Sequence, residues 1–121
     1  IHGTNVLSHE SDYLLPLRWV AVMSNRVNCD LASSTGLHSW ETAVKMILAG
    51  CNAVQVASAL YEKGFGFIEE INSHLASWMT AHNYETIDNF RGKLSQENSI
   101  NPAEFERVQF MKNFGEYKTG Q

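Results

Sequence analysis

Long apolar runs are missing from this 121-residue chain. The longest, Tyr13 to Met23 and Met46 to Ala49, are broken by Arg18 or by small and polar residues and fall short of the roughly 20 residues that a membrane span requires. No membrane-spanning helix is expected. Positive charge is scarce too: nine Lys and Arg against thirteen Asp and Glu give a formal net charge of −4, which argues against a general nucleic-acid surface. Cysteine is limited to Cys29 and Cys51, and neither has histidine or acid at ligand spacing. That gives little support to a disulfide framework or a zinc site, so both are expected to be reduced, buried core residues on neighbouring strands of a cytoplasmic protein. The opening Ile1-His2-Gly3-Thr4-Asn5 has no initiating Met and no basic stretch followed by an apolar one, so it does not read as a signal peptide. So abrupt a start is expected of a piece of a longer chain. What is present, 44% apolar, 11% aromatic and 18% charged residues, is the composition of one globular domain. A complete large barrel, which takes about 250 residues, is excluded by length.

The hydrophobic pattern orders the elements. His2 to Asp12 reads as a loop, and Pro16 stands where the first turn of a helix tolerates it, with Leu17, Val20 and Ala21 forming an apolar face that ends near Ser24-Asn25. Val27, Cys29 and Leu31 alternate with polar residues, which predicts a strand running to Ser33. After a turn at Ser33-Ser34-Thr35-Gly36, Ser39 is placed to cap a helix from Trp40 to Leu48 that buries Ala43, Val44, Ile47 and Leu48 and stops at Gly50. Ala53 to Ala57 predicts a second strand, apolar enough to be covered on both faces as parallel strands are. The connection between the strands is short, as in a βαβ unit. A short helical turn at Ser58 to Tyr61 precedes the Gly64-Phe65-Gly66 break. Phe67, Ile68, Ile71, Leu75, Trp78 and Met79 then mark an amphipathic helix to about His82-Asn83. Thr86 can cap a short helix through Phe90, and Asn101-Pro102-Ala103-Glu104 starts a last helix to about Asn113, before a tail from Gly115.

Two strand ends attract functional interest, because ligands of such folds sit at the carboxyl ends of parallel strands. One is Ser33 to Gly36, leading into the Ser39-capped helix; the other is Ala57-Ser58-Ala59. Each offers hydroxyls and backbone N–H groups, and together they could hold one phosphate dianion. Thr35, Ser39 and Ser58 could equally serve as helix caps alone. His38 could touch the same anion or face solvent. His74 and His82 stand eight apart, a poor spacing for one metal, and Asp88 and Arg91 are placed for a local ion pair. No lysine, cysteine or acid is flanked by a credible nucleophile and base, so no catalytic residue is assigned.

Thr35-Gly36-Leu37-His38-Ser39-Trp40-Glu41-Thr42-Ala43, the run from Ile47 to Tyr61 with its Leu-Ala-Gly turn and Val-Gln-Val strand, Ile68 to Asn72, and Ile87-Asp88-Asn89-Phe90-Arg91-Gly92 resemble the C-terminal part of the dihydroorotate dehydrogenase family. The likeness is to its cytosolic flavin branch and related dehydrogenase-like proteins, over about two thirds of the chain. It implies an α/β fold in which residues 1–121 are a partial domain of a (β/α)8 TIM barrel: the last two βα units, with two parallel strands, surrounding helices and the C-terminal helices. It further implies flavin mononucleotide (FMN) as cofactor, its phosphate held at Thr35, Gly36, Ala57 and Ser58. Where the family has a glycine pair this chain has Thr35-Gly36, and where the family has Gly-Thr it has Ala57-Ser58. The family's flavin-contacting lysine and its catalytic cysteine or serine belong to earlier strands; Cys29 and Cys51 match neither. The expected partners are therefore the N-terminal remainder of the barrel or further copies of the chain, with a dihydropyrimidine-like substrate in the parent, and the 121 residues alone are expected to be inactive. A nonenzymatic binding or structural descendant of such a barrel, and an independent small α/β association domain, are the alternatives.

Overall fold

A computed structural model describes residues 7–98. A 3-10 turn at Glu10–Tyr13 runs straight into α1 (Leu14–Met23), so Pro16 falls third in the helix, inside the first turn where no intrahelical N–H bond is lost. The remaining elements are β1 (Ala32–Ser33), α2 (Trp40–Ala49), β2 (Ala53–Val54), α3 (Ser58–Lys63), α4 (Gly66–Ala81) and a 3-10 turn at Ile87–Asn89. The strands pair in parallel, Ala32 opposite Ala53 and Ser33 opposite Val54. Leu31 and Ser33 accept backbone bonds from Asn52 and Gln55, both at 2.8 Å.

Local chemistry explains α2 best. Ser39 stands in extended backbone at its start and its Oγ accepts the Thr42 N–H at 3.4 Å, while Gly50 ends it with φ 120°. A side chain at Gly50 would collide with Ser24 as well as require that rare backbone. Thr42, Ala43, Val44, Met46, Ile47 and Ala49 are buried. Met46 was not foreseen in the stripe, and Leu48 is only half-buried.

α2 lies between α1 and α4, and two apolar clusters follow from that. Val20, Ala21, Met46, Ala49 and Cys51 fill the side toward α1. Leu37, Ala43, Ala59, Phe67 and Ile71 fill the side toward α4, and Val54 packs against both groups. The segment after α4 is fastened underneath. Phe90 is fully buried, the Gly92 and Leu94 N–H groups donate to Ile47 and Leu48 carbonyls, and the Gln96 N–H donates to Ala21. Arg91 pairs with Asp88 and also donates from Nε to the Cys51 carbonyl at 3.2 Å, so the anticipated ion pair doubles as a fastener.

Several expectations need correction. Each strand is two residues long, and β2 is not covered on both faces: Ala53, Gln55 and Ala57 are exposed, Val54 and Val56 half-buried. A strand is prolonged by neighbours on its edges, and among the described residues each strand has one. Cys29 is exposed, in a bend among Asn28 and Asp30 before β1 starts, so it has no sheet face to enter. Cys51 is buried as expected, but in the turn after Gly50 rather than in a strand; its thiol donates to the Ala53 carbonyl at 2.8 Å. Thr86 stands at the N-cap position, where its N–H and hydroxyl both donate to Asn89 Oδ1 at 2.9 Å, and the turn it opens is 3-10 rather than α-helical. The anticipated Asn101 helix, the tail and His2 lie outside the described residues.

Candidate functional site

Both carboxyl strand ends open into one cavity. After β1 the backbone of Thr35 and Gly36 turns left-handed, with φ 82° and 76°. Glycine is needed at Gly36 twice over: for that φ, and because a Cβ would come within 2.2 Å of the Tyr13 backbone nitrogen. Thr35 adopts the same region without glycine's freedom, an uncommon state for a β-branched residue. After β2, Ala57 is non-helical and α3 begins at Ser58. Thr35, Gly36, Ala57 and Ser58, the four residues picked from the sequence, line the same space of about 250 Å³ together with Leu7, Ser8, Asp12, Ser34, Leu37 and Gln55.

The residues before α1 form the wall that the sequence did not announce. The Ser8 N–H donates to Ser58 Oγ at 2.9 Å, and Ser8 Oγ lies 3.2 Å from His38 Nε2. His38 is 4% exposed, so it is neither a solvent-facing loop residue nor a member of the cavity lining. Its carbonyl accepts from Lys63 Nζ at 2.6 Å, and Nδ1 is 3.9 Å from Glu62 Oε2. Asp12 accepts the His9 N–H at 2.7 Å. Among the described residues the lining combines the hydroxyl residues Ser8, Ser34, Thr35 and Ser58, Gln55 and Asp12 with Gly36 and the apolar Leu7, Leu37 and Ala57, and holds no Lys or Arg. Ser8 is 50 residues from Ser58, and only long-range folding brings them together.

At the opposite strand ends a second hollow of about 230 Å³ is lined by Ser24, Asn25, Cys29, Asp30, Gly50, Asn52, Arg91 and Gly92. Arg91 is engaged there by Asp88 and the Cys51 carbonyl, a fastening role. Burial raises the pKa of the Cys51 thiol, which keeps it protonated and unreactive. Among the described residues no three His, Cys, Asp or Glu side chains converge to hold a metal ion, and no helix is long and apolar enough to cross a membrane.

Part of this chain is similar to known proteins. The catalytic subunit of dihydroorotate dehydrogenase B (NAD(+)) from Pyrococcus furiosus is 27% identical over 78 residues, 64% of this chain and 26% of that protein. Dihydroorotate dehydrogenase (fumarate) from Trypanosoma brucei brucei is 41% identical over 59 residues, 49% of this chain and 19% of that protein. The chain resembles the dihydroorotate dehydrogenase family. The chloroplastic dihydropyrimidine dehydrogenase (NADP(+)) of Arabidopsis thaliana shares 34% identity over 62 residues, 51% of this chain and 15% of its own length. The chain therefore spans about a quarter or less of each of these dehydrogenases. No family model matches it.

Proposed function

We infer that this chain supplies the phosphate end of the flavin site in a dihydroorotate dehydrogenase-like oxidoreductase. In that reading residues 1–121 are the last two βα units and C-terminal helices of a (β/α)8 barrel. The N-terminal remainder, or further copies of the chain, completes the sheet. Thr35, Gly36, Ala57 and Ser58 surround the FMN phosphate. The observation that carries the reading is that turns from two different strands, chosen for their position at carboxyl ends, line one cavity.

The residues fit a phosphate in kind. Ser34, Thr35 and Ser58 offer hydroxyls, Gln55 an amide, and Gly36 lets the backbone approach closely. The cavity of about 250 Å³ is smaller than the roughly 300–1,000 Å³ of sites for whole drug-sized ligands, so it suits the phosphate end of the cofactor and leaves the ring to other strands. FMN, when bound, accepts the electrons of a dihydropyrimidine. In this reading the described groups of the chain bind and orient, and the 121 residues alone are expected to be inactive.

Titration of the longer polypeptide with FMN tests the reading. Ser58→Ala is expected to weaken binding by about 1.5–3 kcal/mol, as for loss of a hydrogen bond to a charged group. Equal affinity removes Ser58 from the site. A folded parent that binds no flavin favours the second reading, a nonenzymatic descendant of the barrel. That reading draws on the Thr35 side chain standing where the family has glycine and on the Asp12 carboxylate in the lining.

A further inference from the structure

Serine and threonine inside a helix usually turn the hydroxyl proton back on the carbonyl four residues earlier. α4 does this twice, Ser77 Oγ donating to the Ser73 carbonyl at 3.1 Å and Thr80 Oγ1 to the Ala76 carbonyl at 3.0 Å. Ser58 has no such outlet, because it opens α3 and no helical turn precedes it. A hydroxyl has one proton and two acceptor positions, and one acceptor position is taken by the Ser8 N–H at 2.9 Å. The proton is left to point into the cavity that Ser58 lines.

Ser8 is itself held. Its Oγ meets Nε2 of His38, and that ring is buried, with Nδ1 toward Glu62 and the carbonyl gripped by Lys63. Glu62 and Lys63 follow Ser58 by four and five residues on α3. The contacts therefore close a ring: Ser58 to Ser8, Ser8 to His38, and His38 back to α3. With the proton on Nδ1 facing the Glu62 carboxylate, Nε2 accepts from the Ser8 hydroxyl; this tautomer is assigned from the neighbours.

We propose that His38 is a positioning residue which, through Ser8, aims the Ser58 hydroxyl proton into the cavity and so selects for a ligand oxygen that only accepts, a phosphoryl oxygen above all. The ligand half of this proposal rests on the flavin phosphate reading; the ring of contacts does not. The sequence leaves His38 between touching the anion and facing solvent, and gives Ser8 no role.

The test uses the full 121-residue chain, labelled with nitrogen-15, with two readouts: exchange of the Ser8 amide proton, and titration with FMN against riboflavin, which lacks the phosphate. The clamp requires the Ser8 amide to exchange faster in Ser58→Ala and in His38→Ala, and His38→Gln, whose amide can still meet Ser8 Oγ, to restore protection. Unchanged exchange in both alanine variants overturns it, whatever the flavin does. If FMN perturbs the chain and riboflavin does not, Ser58→Ala should weaken the response about tenfold or more and His38→Ala about threefold or more, with His38→Gln near the parent value. FMN binding unaffected by His38→Ala overturns the positioning role. If neither ligand perturbs the chain, phosphate selection by the 121 residues on their own is overturned, the flavin reading is decided by the titration of the longer polypeptide, and the clamp is decided by the exchange data. Should His38→Ala unfold, Ser8→Ala, which keeps the amide and loses the hydroxyl, takes its place in both readouts.

Discussion

Replacing Thr35 with glycine should stabilise the fold, although it deletes a side chain. Thr35 holds φ 82° and is exposed, so removing its side chain relieves the backbone without opening a cavity. The left-handed region costs an L-residue about 1–2 kcal/mol. Glycine returns about 0.4–1 kcal/mol of that through its greater freedom in the unfolded chain. The net gain is then about 0.5–1 kcal/mol. With a urea slope of about 1.5 kcal/mol/M, the midpoint should rise by about 0.3–0.7 M at fixed chain concentration. Gly36→Ala is the companion measurement. It adds a Cβ at φ 76° within 2.2 Å of the Tyr13 nitrogen, so the Glu10–Tyr13 turn must shift. A loss of about 2–4 kcal/mol is expected. A Thr35→Gly midpoint that stays put or falls, with the slope unchanged, would refute the claim that this turn keeps a glycine conformation under a threonine.

Three further outcomes are open to measurement. Thiol labelling of the folded chain should modify exposed Cys29 quickly and reach Cys51 only on unfolding; rapid modification of both rejects the burial of Cys51. Because burial raises the Cys51 pKa, its contribution to stability is complete below the unfolded thiol pKa, about 8.5, and is lost as pH rises through the folded value. Urea midpoints from pH 7 to 10 should therefore fall more steeply for the parent than for Cys51→Ala, and equal slopes count against the assignment. Sedimentation of the chain over a range of concentrations should show mass rising with concentration. Among the described residues the two-stranded sheet has unpaired edges, and Leu15 (53% exposed), Trp19 (49%) and Met23 (36%) form an apolar stripe along α1. A compact monomer throughout rejects self-association.

α2 was legible almost residue by residue, because its signals are local: a serine that reaches its own first turn, a glycine whose φ ends the helix, and apolar side chains at helical spacing. α4 was legible from apolar spacing alone, up to its His82 C-cap, but of that stripe only Phe67 and Ile71 are buried and Ile68 is 43% exposed. The strands were not. Alternation from Val27 and the run from Ala53 speak of a sheet that needs further neighbours, and without them the ladder closes after two residue pairs. Cys29 was misplaced with the strand that contained it. The candidate site divides along the same line. Thr35, Gly36, Ala57 and Ser58 stand at strand ends that periodicity can find. Ser8 and His38 meet across 30 residues, in a segment whose composition reads only as loop.

The same division governs the chemistry proposed for the cavity. A phosphate held by neutral donors, with a carboxylate in the wall, gains little from long-range attraction; its recognition depends on hydrogen bonds being aimed before it arrives. Aim is what left-handed turns and closed rings of contacts provide. Gly36 packs against the backbone of Asp12 and Tyr13, and Ser58 is tied to Ser8, so one segment ahead of α1 fixes both halves of the cradle. That coupling makes the segment from Ser8 to Tyr13 part of the proposed site rather than a leader to it. A substitution there, far in sequence from either strand end, should disturb phosphate recognition as much as one in the turns themselves.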